Sequence, residues 1–472
     1  MSSVRPFVLA ILLGLAPALA GCVETPRPDP ALDVPAAYRA ARDTSAPLPR
    51  AAWWTAFRSA ELTRIAEAAE AGNLDIAVAV ARIRQADAQA RVVGAALLPT
   101  LDLSASAARS RSADLSGRGS EGANRFGTSL AARYELDFWG RARSETEAAD
   151  QLARASRFDR DTVALTATSS AAGSYMRIVA ARDRKAIARL NLESATRVLT
   201  IIRERLAVGT ATALDLAQQE SVVASLRAEI PPLDQIIEQE IATLAVLVGR
   251  APERLSVRGA SMDALAVPRV GAGVPSALLA RRPDIAAAEA RLEAAHANVN
   301  AARAAFFPTI SLTAAGGIES LALTSLFQPG AAFYAIGAGL AQPIFDGGRL
   351  QGQFDIQEAA QEELLQAYRA AVLNAFADVE RALIAVRQLA EQERLQRESL
   401  ASSRRAYDIA EQRLREGTVD LVTVLNTQTT LFQAQDALTR VRLARFLASV
   451  SLYQALGGGW TVAQGRAETA AR

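Results

Sequence analysis

The sequence predicts a mixed α and β membrane protein built from two structural repeats, and three observations carry that expectation. First, the 472-residue chain repeats itself about two hundred residues apart, a period of a duplicated half-molecule rather than of a short-unit solenoid. Leu98-Pro99-Thr100-Leu101 returns as Phe307-Pro308-Thr309-Ile310, Asp137 as Asp346, and Gly140-Arg141 as Gly348-Arg349. Arg82 to Gly94 matches Arg291 to Arg303 in register. Second, Arg141 to Val208 and Arg349 to Glu416 contain no proline, and at 1.5 Å per residue each makes a continuous helix of about 100 Å. Third, pairs of strand-like segments precede both long stretches, and their length suits a tilted membrane strand of roughly 9 to 11 residues. Each copy reads helix, strand pair, long helix, tight turn, helix.

At the N-terminus, Arg5 supplies a positive charge and Pro6 to Ala20 is an apolar run too short to span a bilayer comfortably. Leu19-Ala20-Gly21-Cys22 then resembles a bacterial lipobox. Residues 1–21 are therefore expected to be a lipoprotein signal, cleaved ahead of Cys22. The resemblance implies S-diacylglycerol on the Cys22 thiol and an N-acyl chain, palmitate, on its new amine; the alternative is an ordinary signal with an incidental cysteine. Val23 stands where an aspartate would, by analogy, favour inner-membrane retention, so delivery to the outer membrane is expected. Residues 22–52 are proline-rich between Pro26 and Pro49 and read as an extended, lipidated tether.

The first repeat is assigned to residues 53–250. Trp53-Trp54 and Phe57 introduce an amphipathic helix from about Leu62 to Ala96. Leu101, Leu103, Ala105 and Ala107 alternate with Asp102, Ser104, Ser106 and Ala108, as in a strand with one apolar and one wetter face. Arg125 to Phe138 is its partner. The long helix turns at Gly209, and Pro231-Pro232 removes backbone donors from the return helix, so a kink or break is expected there. Gly249-Arg250-Ala251-Pro252 closes the repeat, and residues 251–280 are a loop-rich connector.

Arg281-Arg282-Pro283-Asp284-Ile285 opens the second repeat, residues 281–460, with Pro283 at a helix start. Its strands are Pro308 to Ile318 and Phe333 to Phe345. In its long helix Leu365, Tyr368, Val372, Phe376, Val379, Leu383, Val386 and Ala390 follow a spacing of three and four, close to a coiled-coil seam. No proline follows Pro343, so this half is expected to be straighter; residues 461–472 are a tail. The mature chain offers no twenty-residue apolar run for a transmembrane helix. Four strands cannot close a barrel, since the smallest have about 8. If these strands enter lipid, where unpaired backbone groups cost several kcal/mol each, several protomers must share one barrel. The alternative is two soluble hairpins.

Composition excludes other classes. The chain is 50% apolar but only 5% aromatic, and 52 basic residues balance 50 acidic ones, so nothing points to nucleic acid. One cysteine and one histidine exclude an internal disulfide and a Cys/His zinc cluster. His296, whose repeat counterpart is Asp87, is read as a helix-surface or interface residue. No phosphate-cradling loop or catalytic constellation is present, so the chain is not expected to be an enzyme or to hold a cofactor beyond the covalent lipid. Three methionines and one histidine give no support for soft-metal cargo.

Taken together, Trp53-Trp54 with Phe57, the paired Pro-Thr strand starts, Asp137-Phe138-Trp139-Gly140 and Asp346-Gly347-Gly348, Arg281 to Ile285, and Leu452-Tyr453-Gln454-Ala455-Leu456-Gly457-Gly458-Gly459-Trp460 resemble the outer membrane factor family. These are the TolC-like exit ducts of tripartite RND-type efflux systems, here in their lipoprotein branch. The resemblance covers nearly the whole mature chain. It implies a homotrimer with a twelve-stranded barrel in the outer membrane of a Gram-negative bacterium, continued by a twelve-helix periplasmic barrel. The implied partners are a periplasmic adaptor (membrane fusion protein) and an inner-membrane RND-type transporter. By the same resemblance, the adaptor meets the hairpin tips, which match Val208, Gly209, Thr210 and Glu416, Gly417, Thr418. A gate of carboxylates and polar partners is implied at that end, with Asp420, Asp215 and Asn426 as candidates and Arg413 or Arg415 as compensating donors. Asn426 departs from the aspartate of many relatives. The competing readings are a periplasmic coiled-coil scaffold lipoprotein and the outer-membrane component of another export system.

Overall fold

A computed structural model describes residues 25–40, 48–111, 122–259 and 261–461. The signal segment, Cys22 and residues 462–472 lie outside the described residues. The regular elements are α1 (Ala60–Gly72), α2 (Leu74–Gly94), β1 (Thr100–Arg111), β2 (Gly122–Leu136), α3 (Arg141–Ala207), α4 (Ala213–Ala228), α5 (Ile230–Leu247), α6 (Pro283–Ala304), β3 (Thr309–Ser320), β4 (Ala332–Ala341), α7 (Arg349–Glu416) and α8 (Leu421–Ala455). They fall into two compact units. One holds Ile83–Ser156, Ala288–Arg369 and the N-terminal residues up to Ala31; the other holds Leu32–Arg82, Arg157–Ala287 and Ala370 onward. Each unit thus draws on both sequence repeats.

In the first unit, the two hairpins merge into one antiparallel sheet in the order β1-β2-β3-β4. Register explains what alternation in β1 only hinted at. Leu103 lies opposite Leu130, Leu136 opposite Ile310, Tyr134 opposite Leu312, Ala314 opposite Ile336 and Ile310 opposite Leu340. Because side chains alternate along a strand, these pairs place the apolar set on one face. The other face carries Asp102, Ser104, Ser129, Ser311 and Thr313, and Ser104 and Ser129 hydroxyls meet at 2.9 Å across the sheet. Neither face is covered: every residue of β1 and of β4 is exposed.

The ends of the strands are fixed by residues that the repeat retains. Asp137 accepts from the main-chain N–H of Ala142 (3.0 Å) and Arg143 (2.9 Å), and Asp346 from Gly348 (3.0 Å) and Leu350 (2.9 Å). Each aspartate therefore satisfies donors at the first turn of a long helix, where helix N-termini leave N–H groups unpaired. Partial burial raises the Asp137 carboxyl, but these N–H bonds and Arg143 outweigh it and hold it below the usual range. Trp139 stacks on Phe307 with centroids 4.7 Å apart and donates from Nε1 to the Pro308 carbonyl (2.8 Å), joining the two hairpins. β4 stops at Ala341 rather than at Phe345, because Pro343 follows and cannot donate to a ladder.

One further expectation is corrected, and two are given their contacts. The helix predicted from Leu62 to Ala96 is two helices, broken at Asn73. The buried Asn73 Oδ1 accepts from Asp75 (2.9 Å) and Ile76 (3.1 Å), capping α2, and its Nδ2 donates to the Leu247 carbonyl (2.9 Å). The described part of the N-terminal segment, read as an extended tether, has neither helix nor strand and is docked. Thr25 donates through N and Oγ1 to Asn300 Oδ1 (2.9 and 2.7 Å), Arg27 pairs with Glu293 (3.7 Å), and Arg369 donates to the Asp29 carbonyl (2.9 Å). In the second unit, Tyr38 is buried, and that burial pushes its hydroxyl up to about 12 against the nearby Arg282. Finally, His296, read as a helix-surface or interface residue, lies at an interface between helices. It is 8% exposed, between Gln361 of α7 and Asn300 of its own helix.

The core of the second unit forms around Trp53, Trp54, Phe57, Tyr175, Met176 and Tyr453. Trp53 stacks on Tyr453 at 5.2 Å and meets Phe57 edge-on at 6.1 Å, geometries that favour the ring quadrupoles. The predicted seam of α7 is buried or half-buried at each of its eight positions. Farther along α7, Glu393 has a side chain only 4% exposed and binds Arg445 (2.6 Å) and Arg442 (3.2 Å) of α8, together with Arg397. Arg442 also reaches Asp263 of the connector (2.6 Å). Burial raises the Glu393 carboxyl, but the arginine contacts overcome that and hold it below the usual range.

Candidate functional site: the hairpin tips

The two tips have the same backbone for the same reason. Gly209 has φ +75° and Gly417 φ +76°, left-handed values that L side chains rarely adopt. Gly209 N–H donates to Leu206 (3.0 Å) and Thr210 N–H to Arg205 (2.8 Å); Gly417 donates to Leu414 (3.0 Å) and Thr418 to Arg413 (2.9 Å). This paired 5→2 and 6→1 pattern is the Schellman motif that satisfies the last carbonyls of a helix. Each threonine hydroxyl adds a bond to the same carbonyl, at 3.1 Å for Thr210 and 3.2 Å for Thr418. Arg205 then crosses to the Leu414 carbonyl at 2.5 Å, so the two tips are tied together.

The return helices start from caps. Thr212 Oγ1 accepts from Asp215 N–H (3.1 Å) while Asp215 Oδ2 accepts from Thr212 N–H (2.8 Å), a reciprocal capping box. Asp420 caps α8 by accepting from Thr423 N–H (2.9 Å), and its bonds from Thr423 hold its carboxyl below the usual range. Of the arginines expected to compensate it, Arg415 is otherwise directed, pairing with Glu411 at 2.5 Å. Asn426 is exposed on α8, six residues beyond the cap. Thus the structure brings Val208 to Thr210 and Glu416 to Thr418 into two turns of identical hydrogen bonding, with Asp215 and Asp420 just behind them at helix starts.

Sequence reading missed two features here. Val208 (75% exposed), Leu214 (65%) and Val422 (50%) leave apolar surface open at the tips. Beneath them, Gln219 and Gln428 are 0% and 1% exposed, the second standing 209 residues after the first. Gln219 Nε2 donates to the Ala195 carbonyl (2.8 Å), and Gln428 Nε2 to the Tyr407 hydroxyl (3.5 Å), which also meets Ser194 (2.8 Å). Neither Oε1 has a hydrogen-bond partner among the described residues.

The sequence matches the family model for outer membrane efflux proteins twice, over residues 65–250 and 274–458. The chain belongs to this family. It is 43% identical over 453 residues to the pyoverdine export outer membrane protein OpmQ of Pseudomonas aeruginosa, covering 94% of this chain and 95% of that protein. Among solved structures, the outer-membrane channel OprN superposes with a TM-score of 0.88 at 27% identity, covering 93% of this chain and 100% of that one. The open-state MtrE channel of Neisseria gonorrhoeae gives 0.84 at 30% identity, covering 92% and 98%. This outer membrane efflux protein is the outer-membrane exit duct of a tripartite pump in a Gram-negative bacterium. It is a passive channel rather than an enzyme, and it works with an adaptor and an inner-membrane transporter. Among its described residues no helix is long and apolar enough to cross a membrane.

Proposed function

We propose that three copies of this chain close one twelve-stranded barrel and continue it as a helical barrel, through which the pump's cargo leaves the cell. The observation that carries this reading is the sheet. Its apolar and polar faces are both uncovered, and β1 and β4 end it as open edges among the described residues. An open edge in lipid leaves backbone groups unpaired, so β1 of one copy pairs with β4 of the next until the ring closes. The face of Leu103, Leu312 and Ile336 then meets lipid, and the serine-rich face lines the lumen.

Cys22 carries the diacylglycerol and palmitoyl chains that add an anchor. The tips at Val208 to Thr210 and Glu416 to Thr418, with the exposed Val208, Leu214 and Val422, receive the periplasmic adaptor of an RND-type pump. Asp420, Asp215 and Asn426 stand near the periplasmic mouth as gate residues, the two aspartates serving as helix caps as well. Identity to a pyoverdine exporter component favours cargo of that kind. The test is reconstitution of the purified, acylated protein into planar bilayers, with its mass measured in the same preparation. Trimers that conduct ions are expected; monomers that never conduct would reject the shared barrel and favour a scaffold lipoprotein.

A further inference from the structure

The N-terminal segment is held on α6 through a polar relay that ends in the chain's single histidine. Thr25 donates twice to Asn300 Oδ1, through N–H (2.9 Å) and hydroxyl (2.7 Å). That commitment fixes the Asn300 amide, because turning it would set Nδ2 against the Thr25 N–H. Its Nδ2 therefore faces His296 Nε2 at 3.4 Å, and Gln361 of α7 lies 3.1 Å from Nδ1 on the other side of the ring. His296 and Gln361 are 8% and 9% exposed, so water does not stand in freely for either partner.

A neutral imidazole accommodates this arrangement: Nε2 accepts from Asn300, and Nδ1 carries the proton toward the Gln361 amide, which turns to offer its oxygen. A protonated ring does not. Both its nitrogens are then donors, and the Nε2 proton points at a donor amide that cannot turn without releasing Thr25. We propose that His296 and Asn300 form a latch that docks the N-terminal segment on α6 when His296 is neutral and releases it when His296 is protonated. Histidine is the side chain suited to such a change within the pH range of a bacterial envelope.

Glu293 on α6 is held by Arg27 of the same segment, Glu145 on α3 is paired with Arg141 near Ala148, which packs on Ala294 and Ala297, and Glu358 is exposed one turn before Gln361. Arg303 lies one turn beyond Asn300 on α6. The Arg27–Glu293 pair keeps its charges through the change, so the latch turns on the amide and the ring. Asn300 stands nine residues before Thr309, where β3 begins. Cys22 is three residues upstream of Thr25, within about 10 Å of chain. The docked latch therefore holds the anchor-bearing segment beside a membrane-entering strand, a consequence that rests on the lipidation reading above.

Amide exchange measured by mass spectrometry on the full acylated protein tests this, with rates corrected for the intrinsic effect of pH. For residues 25–31, protection is expected to fall by about tenfold between about pH 8 and about pH 5.5, the scale of one lost charge-free hydrogen-bond site. His296→Gln cannot titrate and stays protected at both values. Asn300→Asp accepts from Thr25 and from a protonated ring alike and also stays protected, whereas Asn300→Ala is unprotected throughout. Equal protection of the wild type at the two pH values overturns the latch, as does an undiminished pH response in His296→Gln. The mass of the N-terminal peptide reports acylation separately, so an unacylated Cys22 removes the anchor while leaving the latch measured on its own.

Discussion

In the first repeat the return leg is broken at Glu229, ahead of Pro231-Pro232; in the second it runs unbroken from Leu421 to Ala455. Both legs begin with a left-handed glycine, a capped start and a buried glutamine. Farther along they part. Arg442 and Arg445 of the second leg correspond in the repeat to Asp234 and Ile237 of the first, and Glu393 corresponds to Lys185. Where the second copy ties its helices by a buried carboxylate among arginines, the first reverses the charges and pairs Lys185 of α3 with Asp234 of α5. The difference teaches that turns and caps are bound to the backbone and persist in both copies. A packing contact is bound only to its partner, so the two exchange chemistry together.

The largest test of this contrast removes the centre of the ionic contact. Glu393→Ala leaves Arg442 and Arg445 without their shared carboxylate and is expected to destabilise by about 3 to 5 kcal/mol, the range for breaking a buried pair. Lys185→Ala, at the matching position with a partly exposed pair, is expected to cost only about 1 kcal/mol or less. Denaturant unfolding followed by circular dichroism compares the two, and equal losses would erase the contrast. Acid sharpens it further. Glu393 titrates below the ordinary glutamate range when folded, so its stabilisation is complete above that range and is lost as pH falls through the folded value. Glu393→Gln should flatten that acid limb.

A smaller effect is expected where the copies agree. Gly209→Ala and Gly417→Ala each force a side chain into a left-handed turn, at about 1 to 2 kcal/mol. The losses should match, because a β-carbon at Gly209 meets nothing within 4 Å and one at Gly417 meets only the Arg205 guanidinium at 3.4 Å. Unfolding midpoints of the two variants differing by more than the error would break the symmetry of the tips.

The smallest expected change has the opposite sign. Gln219→Leu and Gln428→Leu remove a buried carbonyl oxygen that lacks a partner, and each should stabilise by up to about 1 kcal/mol. If instead both variants melt earlier, the packing of the two amides and the bonds from their Nε2 groups outweigh the cost of the unpaired oxygens.

Much of the local structure was legible in the sequence because its causes are local. Gly209 and Gly417 announce turns, Pro231-Pro232 a break, Asp137 and Asp346 helix starts, and the absence of proline two helices of 67 and 68 residues. The break at Asn73 was legible too, in the Gly72-Asn73 dipeptide, and was overridden by a strong helical period. Of the tips, the turn residues could be read, but the exposed Val208, Leu214 and Val422 could not, since exposure depends on what other elements leave uncovered.

By itself the sequence determined the duplication, the strand and helix lengths, the turns and the caps, all of which follow from backbone conformations and hydrogen bonds within a few residues. Only the tertiary structure decided the rest. It joined two hairpins 209 residues apart into one sheet and aligned their apolar residues on a single face through register. It also docked Thr25 on Asn300 and buried His296 between helices. Those outcomes depend on pairings between segments hundreds of residues apart, whose partners no local pattern names.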